Sequence, residues 1–356
     1  MRLLMISPCP YDRLHGGVQV SGQLAWEGII SSTLFEKARL LCYGRTCDVP
    51  DSAGFDRSLL SCNRSKLRVI KSAFLLRDPA DIILFWHVRM LKLLPFLRPG
   101  KVRVALFVHG IECWDRLTGI VGHQLAKVDT VFCASQFSLE KFVRANPGFR
   151  PAVTRVVHLG MDAEDSSPAP PEPPPAALIV GRMVISEDYK GHRQLINVWP
   201  QVLERTPGVE LWIAGTGDLE PELRSLASSR AGKSIRFYGP VSQETKLDLL
   251  RRCRCFAMPS PNEGFGLVYL EAMRVGRPCL VHSNGAGKEV IGSAEAGLAV
   301  NADNPGELAA ALSRLLRPGE EWDRWSCRAR ELYNSSYTAR HFQNRLMNAL
   351  EESASR

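Results

Sequence analysis

Between Ala163 and Pro175 the chain reads Ala-Glu-Asp-Ser-Ser-Pro-Ala-Pro-Pro-Glu-Pro-Pro-Pro. Proline has no amide hydrogen and a fixed φ, so this tract cannot sustain helix or sheet and must run extended. It divides a chain of 356 residues into two halves, each long enough to bury a core of its own.

Both halves carry the same beat of short apolar runs and helical segments. In the first half Arg2-Leu-Leu-Met-Ile6 reads as a buried parallel strand. A polar, proline-broken loop from Ser7 to His15 then ends in Gly16-Gly17, and a helix starts near Val18. Ile82 to Trp86, Val102 to Val108 and Thr130 to Ser135 are further apolar runs ending in polar or glycine-bearing turns. In the second half Ala177–Val180, Glu210–Ala214, Ile235–Tyr238, Cys255–Met258 and Pro278–His282 read as strands, with helices over His192–Arg205 and Gly306–Leu316. Strands alternating with helices predict an α/β protein of two Rossmann-like domains with parallel sheets. The expected limits are a first domain over 1–162, the proline-rich linker over 163–175, a second domain over 176–334 and a tail over 335–356. Phe342, Leu346, Met347 and Leu350 recur at helical spacing in that tail, so it should be an amphipathic helix that packs back on the first domain.

Composition excludes several classes. With 45% hydrophobic and 23% charged residues the chain is neither disordered nor fibrous. Met1 to Ile6 is broken at once by Pro8 and Pro10, unlike a signal peptide, and no apolar run reaches the ~18 residues of a membrane span. A cytoplasmic location is expected. The ten cysteines (Cys9, Cys42, Cys47, Cys62, Cys113, Cys133, Cys253, Cys255, Cys279 and Cys327) lack paired two-residue spacings. Even Cys253 and Cys255 read as reduced buried thiols, so no metal is expected. The net charge of +8 calls for an anionic partner. The excess lies between Arg57 and Arg103, where Arg57, Arg64, Lys66, Arg68, Lys71, Arg77, Arg89, Lys92, Arg98, Lys101 and Arg103 face only Asp78 and Asp81. Within it, Val88-Arg-Met-Leu-Lys-Leu-Leu-Pro-Phe-Leu-Arg98 admits two readings. It is a surface helix touching anionic lipid, or its leucines (Leu91, Leu94 and Leu97) are core and its cations merely solvated.

The chemistry-bearing signal is Asn262-Glu263-Gly264-Phe265-Gly266-Leu267-Val268-Tyr269-Leu270-Glu271, a glycine loop opening a helix. Gly264 and Gly266 allow close backbone approach, and the amides of Phe265, Gly266 and Leu267 at a helix start suit a diphosphate. Glu263 and Glu271 can each accept a pair of hydroxyls, as on a sugar or a ribose. Gly181-Arg182-Met183 and Lys190-Gly191 supply two cations where parallel strands deliver ligands. Such a pair can neutralise charge growing on a departing nucleoside diphosphate.

Glu263-Gly-Phe-Gly-Leu-Val-Tyr-Leu-Glu271, Gly181-Arg182 with Lys190-Gly191, Gly16-Gly17 and Val157-His-Leu-Gly160-Met-Asp162 together resemble the family-4 glycosyltransferases of the GT-B fold over nearly the whole chain. The resemblance implies two facing Rossmann-like domains with the tail helix crossing back. It also implies retaining transfer of a sugar from a nucleotide-diphosphate sugar to a glycan, lipid-linked or small-molecule acceptor, without metal or cofactor and without nucleic acid. By position, Gly16 and Gly17 would approach the donor diphosphate, Arg182 and Lys190 would bind it, and Glu271 would hold the ribose. Glu263 and His109, at the end of Leu106-Phe-Val-His109, would meet the transferred sugar. Gly181, Phe265, Gly266 and Leu267 complete the implied binding set. A membrane-linked acceptor would bring peripheral contact with the inner face of the membrane.

This chain departs from the family pattern in placing Lys190 eight residues after Arg182 rather than five, so Ser186-Glu-Asp-Tyr189 lengthens the loop. Glu289 lacks the proline often found before it and stays outside the site. Gly215-Thr-Gly217-Asp-Leu-Glu220 could instead be a degenerate dinucleotide fingerprint, but its third glycine is Glu220. A nucleotide-sugar epimerase and a non-catalytic nucleotide-sugar-binding relative are the alternatives within the fold.

Overall fold

The computed structural model describes residues 1–8, 16–43, 59–61, 65–76, 80–97, 102–162, 170–293 and 295–355. Cys9, Cys47, Cys62, Arg57, Arg64, Arg77, Asp78, Arg98, Lys101, the loop residues 9–15 and the first part of the proline tract, 163–169, lie outside the described residues. The chain forms two compact units, one of Met1–Asp162 with Tyr337–Arg356 and one of Ala163–Ser336.

The first unit is built on strands β1 (Arg2–Ser7), β2 (Lys37–Cys42), β3 (Leu59–Ser61), β4 (Ile82–Phe85), β5 (Arg103–Val108), β6 (Thr130–Cys133) and β7 (Val153–Val156). All pair in parallel in the order β3-β2-β1-β4-β5-β6-β7. β4 and β6 are buried along their whole length, as parallel strands covered on both faces must be. The continuous apolar runs marked β1, β4, β5 and β6 in the sequence; β2, β3 and β7 carry no such run. β3 and β7 are edge strands and β2 lies next to one, so polar residues such as Lys37, Arg39 and Arg155 interrupt their apolar pattern.

Residues Val88–Phe96 form a 3₁₀ segment. Leu91, Leu94 and Leu97 belong to the core, with Ile83, Phe85 and Leu106, each worth ~1.5–3 kcal/mol of burial. The reading of this segment as an apolar face offered to lipid is therefore corrected: its leucines face inward, and only Arg89, Lys92, Pro95 and Phe96 are exposed.

The second unit contains β8 (Ala176–Val180), β9 (Glu210–Ala214), β10 (Ile235–Gly239), β11 (Cys255–Ala257), β12 (Cys279–His282) and β13 (Gly297–Val300). They too are parallel, in the order β10-β9-β8-β11-β12-β13. The thiols of Cys253, Cys255 and Cys279 are free and buried, and desolvation raises the pKa of each.

The helix Ala339–Ser355 completes the first unit. Phe342, Leu346 and Leu350 are fully buried, and Gln343 Nε2 donates to the Leu24 carbonyl at 3.0 Å. Its start is fixed by backbone pairing, with Met161 N–H donating to Tyr337 O at 3.1 Å and Ala339 N–H to Met161 O at 2.9 Å. Gly160 makes this approach possible, because a Cβ there would lie 2.4 Å from Thr338 O and 2.9 Å from Phe342 Cβ. Gly160→Ala should therefore cost ~1–3 kcal/mol. The expected readout is a lower melting temperature with earlier proteolytic loss of the tail helix, and wild-type behaviour in both assays would refute this role for Gly160.

Candidate functional site

In each sheet the strand order reverses once, beside β1 in the first unit and beside β8 in the second. Chains leaving the carboxyl ends of the two strands at such a point turn in opposite directions and open a crevice that takes ligands. In the second unit Gly181 and Arg182 follow β8 and residues 258–266 follow β11.

The Arg182 loop is held by backbone pairing that continues past the sheet. Gly181 N–H donates to Ala214 O at 3.0 Å, Met183 N–H to Thr216 O at 3.0 Å and Leu219 N–H to Met183 O at 2.8 Å. A Cβ on Gly215, at φ +131°, would stand 1.9 Å from Gly181 O, and one on Gly217 would stand 2.0 Å from Met183 O. These two glycines thus exist to let the Arg182 loop lie against them, which accounts for them without a dinucleotide.

Lys190 closes the 3₁₀ turn Ile185–Lys190. Gly191 follows at φ +98°, and a Cβ there would meet the Pro259 ring at 2.8 Å, so this turn lies directly against the β11 loop. Arg182 donates to Glu187 Oε1, and Lys190 Nζ lies 2.9 Å from Glu187 Oε2. Burial raises the Glu263 carboxyl pKa, Lys190 opposes that shift, Glu187 adds to it and Arg182 opposes it. The Tyr189 hydroxyl is pushed up to about 12, chiefly by burial, with Glu187 and Glu263 adding to the rise. Arg182, Glu187, Tyr189, Lys190 and Glu263 therefore form one electrostatic cluster. Glu187 and Tyr189 were not anticipated as members, because a polar Ser-Glu-Asp-Tyr run reads only as loop.

Gly266 caps the helix Leu267–Arg274 at φ +88°, with no side chain bonded to the helix start. Tyr269 packs where a Cβ on Gly266 or Gly287 would stand, 2.4 and 2.9 Å from its ring, and its hydroxyl donates to Met258 O at 2.7 Å. That wedge fixes the glycine loop. Phe265 is buried, while Gly266 and Leu267 are half-buried. Glu271, one helix face further on, accepts from Lys246 Nζ at 2.7 Å through Oε1; its Oε2 is buried without a hydrogen-bond partner. Lys246 comes from the helix Gln243–Arg252, and no motif in the sequence pointed to it.

In the first unit Gly16 caps the helix Gly17–Ser31, its carbonyl accepting from Gln19 and Val20 N–H at 3.0 Å. Trp86, just beyond β4, joins this helix to His109. Its Nε1 donates to Val18 O at 3.1 Å, and its carbonyl lies 2.7 Å from His109 Nε2. A carbonyl only accepts, so His109 carries its proton on Nε2 and leaves Nδ1 bare. Glu112 Oε1 fixes the backbone by accepting from His109 N–H at 2.7 Å and Gly110 N–H at 3.1 Å. Burial depresses the His109 pKa, partly offset by Glu112 and reinforced by His87. The structure thus links Gly16, Gly17 and His109 through Trp86, with His87 and Glu112 as neighbours the sequence did not single out. Among the described residues no three His, Cys, Asp or Glu side chains converge as they would around a metal ion, and no helix is long and apolar enough to cross a membrane.

Residues 174–318 match the family described as glycosyl transferases group 1. The match lies within the second unit. Two curated proteins share lower but extended similarity. The GDP-mannose-dependent monoacylated alpha-(1-6)-phosphatidylinositol monomannoside mannosyltransferase of Corynebacterium glutamicum is 30% identical over 242 residues, 61% of each chain. The phosphatidyl-myo-inositol mannosyltransferase of Mycolicibacterium smegmatis is 34% identical over 163 residues, covering 44% of this chain and 41% of that protein. This chain therefore spans less than two thirds of the length of either relative. Among solved structures, Anabaena HepE in complex with UDP and glucose is 15% identical, with a TM-score of 0.76 over 99% of this chain and 100% of that one. Sucrose-phosphate synthase from Thermosynechococcus elongatus is 18% identical, with a TM-score of 0.74 over 99% and 98%. These likenesses establish the GT-B fold.

His192 opens the helix that follows Lys190 and Gly191 and is buried, with its pKa lowered from 6.5 to about 4 by burial and then by Lys190. Its folded value lies below its unfolded one, so between the two values the native state binds fewer protons than the unfolded chain. The stability from a neutral His192 is complete above about 6.5 and is lost between about 6.5 and 4, amounting to ~3 kcal/mol. His109 acts in the same sense. Melting temperature should hold steady above neutrality and drop across that window, and less steeply in His192→Asn; equal slopes in the variant and the wild type would show that His192 is not responsible.

Proposed function

We propose that the protein is a retaining glycosyltransferase that moves a sugar from a nucleotide-diphosphate sugar to an acceptor, using fixed cations rather than a metal to stabilise the leaving diphosphate. The observation that carries this reading is the convergence of Arg182, Lys190 and Glu263 at the strand-order reversal of the second unit, beside the glycine-capped helix Leu267–Arg274. An arginine fork and a lysine point charge match phosphate oxygens, and the helix start adds the positive end of a dipole.

In this reading the Arg182 guanidinium and Lys190 ammonium take up charge as the bond from the anomeric carbon to the β-phosphate oxygen breaks. The acceptor hydroxyl attacks from the face the diphosphate is leaving, and its proton passes to the departing phosphate oxygen. No side chain forms a covalent link to the sugar. Gly181, Phe265, Gly266 and Leu267 serve the diphosphate, and Glu271 serves the ribose diol once its carboxylate is shared with Lys246. Glu263 holds hydroxyls of the transferred sugar. In the first unit Gly16 and Gly17 open a helix start suited to phosphate oxygens, and the bare Nδ1 of His109 is free to accept a hydroxyl hydrogen.

The curated relatives support a nucleotide-diphosphate mannose donor and a phosphoinositide acceptor, since one is described as GDP-mannose-dependent and both act on phosphatidylinositol compounds. The HepE complex supports a uridine nucleotide as the other donor to try. A lipid-linked acceptor would bring the protein to an anionic membrane surface, through exposed Arg89, Lys92 and Phe96.

GDP-mannose and UDP-glucose are the first donors to assay. Nucleoside diphosphate should be released on adding a lipid or glycan acceptor, should persist in excess EDTA, and should leave a product whose anomeric configuration by NMR matches the donor. Inversion, or dependence on a divalent ion, would overturn the corresponding part of the proposal. Lys190→Ala should lower kcat about 10²–10³-fold. Glu271→Ala should mainly weaken donor binding, seen as a raised Kd in calorimetry; an unchanged Kd would remove Glu271 from the donor site.

A further inference from the structure

The lengthened loop between Arg182 and Lys190 brings a carboxylate onto the two cations. Glu187 and Lys190 are mostly buried, their side chains 13% and 15% exposed against 72% for Arg182, and Glu187 divides its oxygens between the two cations, Oε1 to Arg182 and Oε2 to Lys190 at 2.9 Å. Two anions and two cations meet there: Glu187 and Glu263 against Arg182 and Lys190. Their formal charges cancel. A diphosphate entering such a site with Glu187 still seated would find no net positive charge, and its oxygens would compete with carboxylate oxygens for the same N–H donors.

The backbone around Glu187 is anchored on both sides. Ile185 N–H donates to Asp218 Oδ1 at 2.9 Å, and Asp188 Oδ2 accepts from Arg193 Nε at 3.2 Å.

We infer that Glu187 is a tethered stand-in for the donor's diphosphate: it holds Arg182 and Lys190 together before the diphosphate arrives and is displaced when it binds. This rests on the proposed nucleotide-diphosphate site. A single carboxylate carries one charge on two oxygens, whereas a diphosphate carries more charge and more acceptors. Displacement therefore costs every ligand that uses both cations the same amount, and a diphosphate has the charge and the acceptors to replace the carboxylate on both, so Glu187 sets the apparent affinity of the site.

Calorimetric titration of the full chain with GDP, UDP, GMP, UMP and inorganic pyrophosphate, in the wild type and in Glu187→Gln, tests this. The amide keeps the size of the side chain but removes its charge. The expected result is about tenfold tighter diphosphate binding in the variant, the fraction of competent sites no longer being limited by an internal competitor. Any ligand that reaches both cations should gain by the same factor, whatever its phosphate number. Binding of a diphosphate by the wild type with equal or weaker binding by Glu187→Gln would overturn the role of Glu187 while leaving the diphosphate site standing. Failure of every ligand to bind either protein would overturn both. Binding seen only in the variant would support the inference. Glu187→Ala, with folding checked by thermal melting, gives a second route, and the same gain in diphosphate affinity is expected from it.

Discussion

A sheet whose strands all run the same way delivers the carboxyl end of every strand to one edge, and the loops that leave that edge carry side chains whose neighbours no ladder fixes. Both units of this protein obey that constraint, and each has a single place where successive strands are laid down on opposite sides of the first. The residues with chemical character follow from it. Gly181 and Arg182 leave β8, the loop through Glu263 leaves β11, and Trp86 and His109 leave β4 and β5. The glycines of the second unit serve the same edge. Gly191, Gly215 and Gly217 each remove a Cβ that would collide with a neighbouring loop, which lets three crossings stack within reach of one another.

Charge is arranged with equal economy. Arg182 and Lys190 would repel each other in the same crevice without an anion between them, and Glu187 supplies it. Glu271 and Lys246 are a second matched pair, 2.7 Å apart, with one carboxylate oxygen left over in a buried position. In the first unit His109 is kept neutral by burial and oriented by a backbone carbonyl.

The fold was largely legible in the sequence because buried parallel strands leave continuous apolar runs such as Ile82-Ile-Leu-Phe85 and Ala177-Leu-Ile-Val180. β2, β3, β7 and β13 were not legible: polar residues or sheer shortness break the pattern at and near the sheet edges. The glycine loop around Glu263 could be read because its glycines, aromatic residue and helix start occur in a fixed order. Glu187, Tyr189, Lys246, His87 and Glu112 could not, since their significance lies in contacts between loops distant in sequence or in the way an ordinary polar run happens to curl. The leucines of Val88–Phe96 show the opposite limit, where sequence admitted a lipid-facing helix and packing decided for the interior.

The pairing of Met161 with Tyr337 and Ala339 makes the second unit an insertion. The polypeptide leaves the first unit at Asp162 and re-enters it at Tyr337, so its exit and return are zipped together by adjacent amides and carbonyls. During synthesis the first unit thus cannot close until the whole of the second has emerged from the ribosome and the terminal helix has followed. Nascent chains halted before that point would present the docking groove for Phe342 and Leu346 uncovered, a stage at which chaperones would be expected to act.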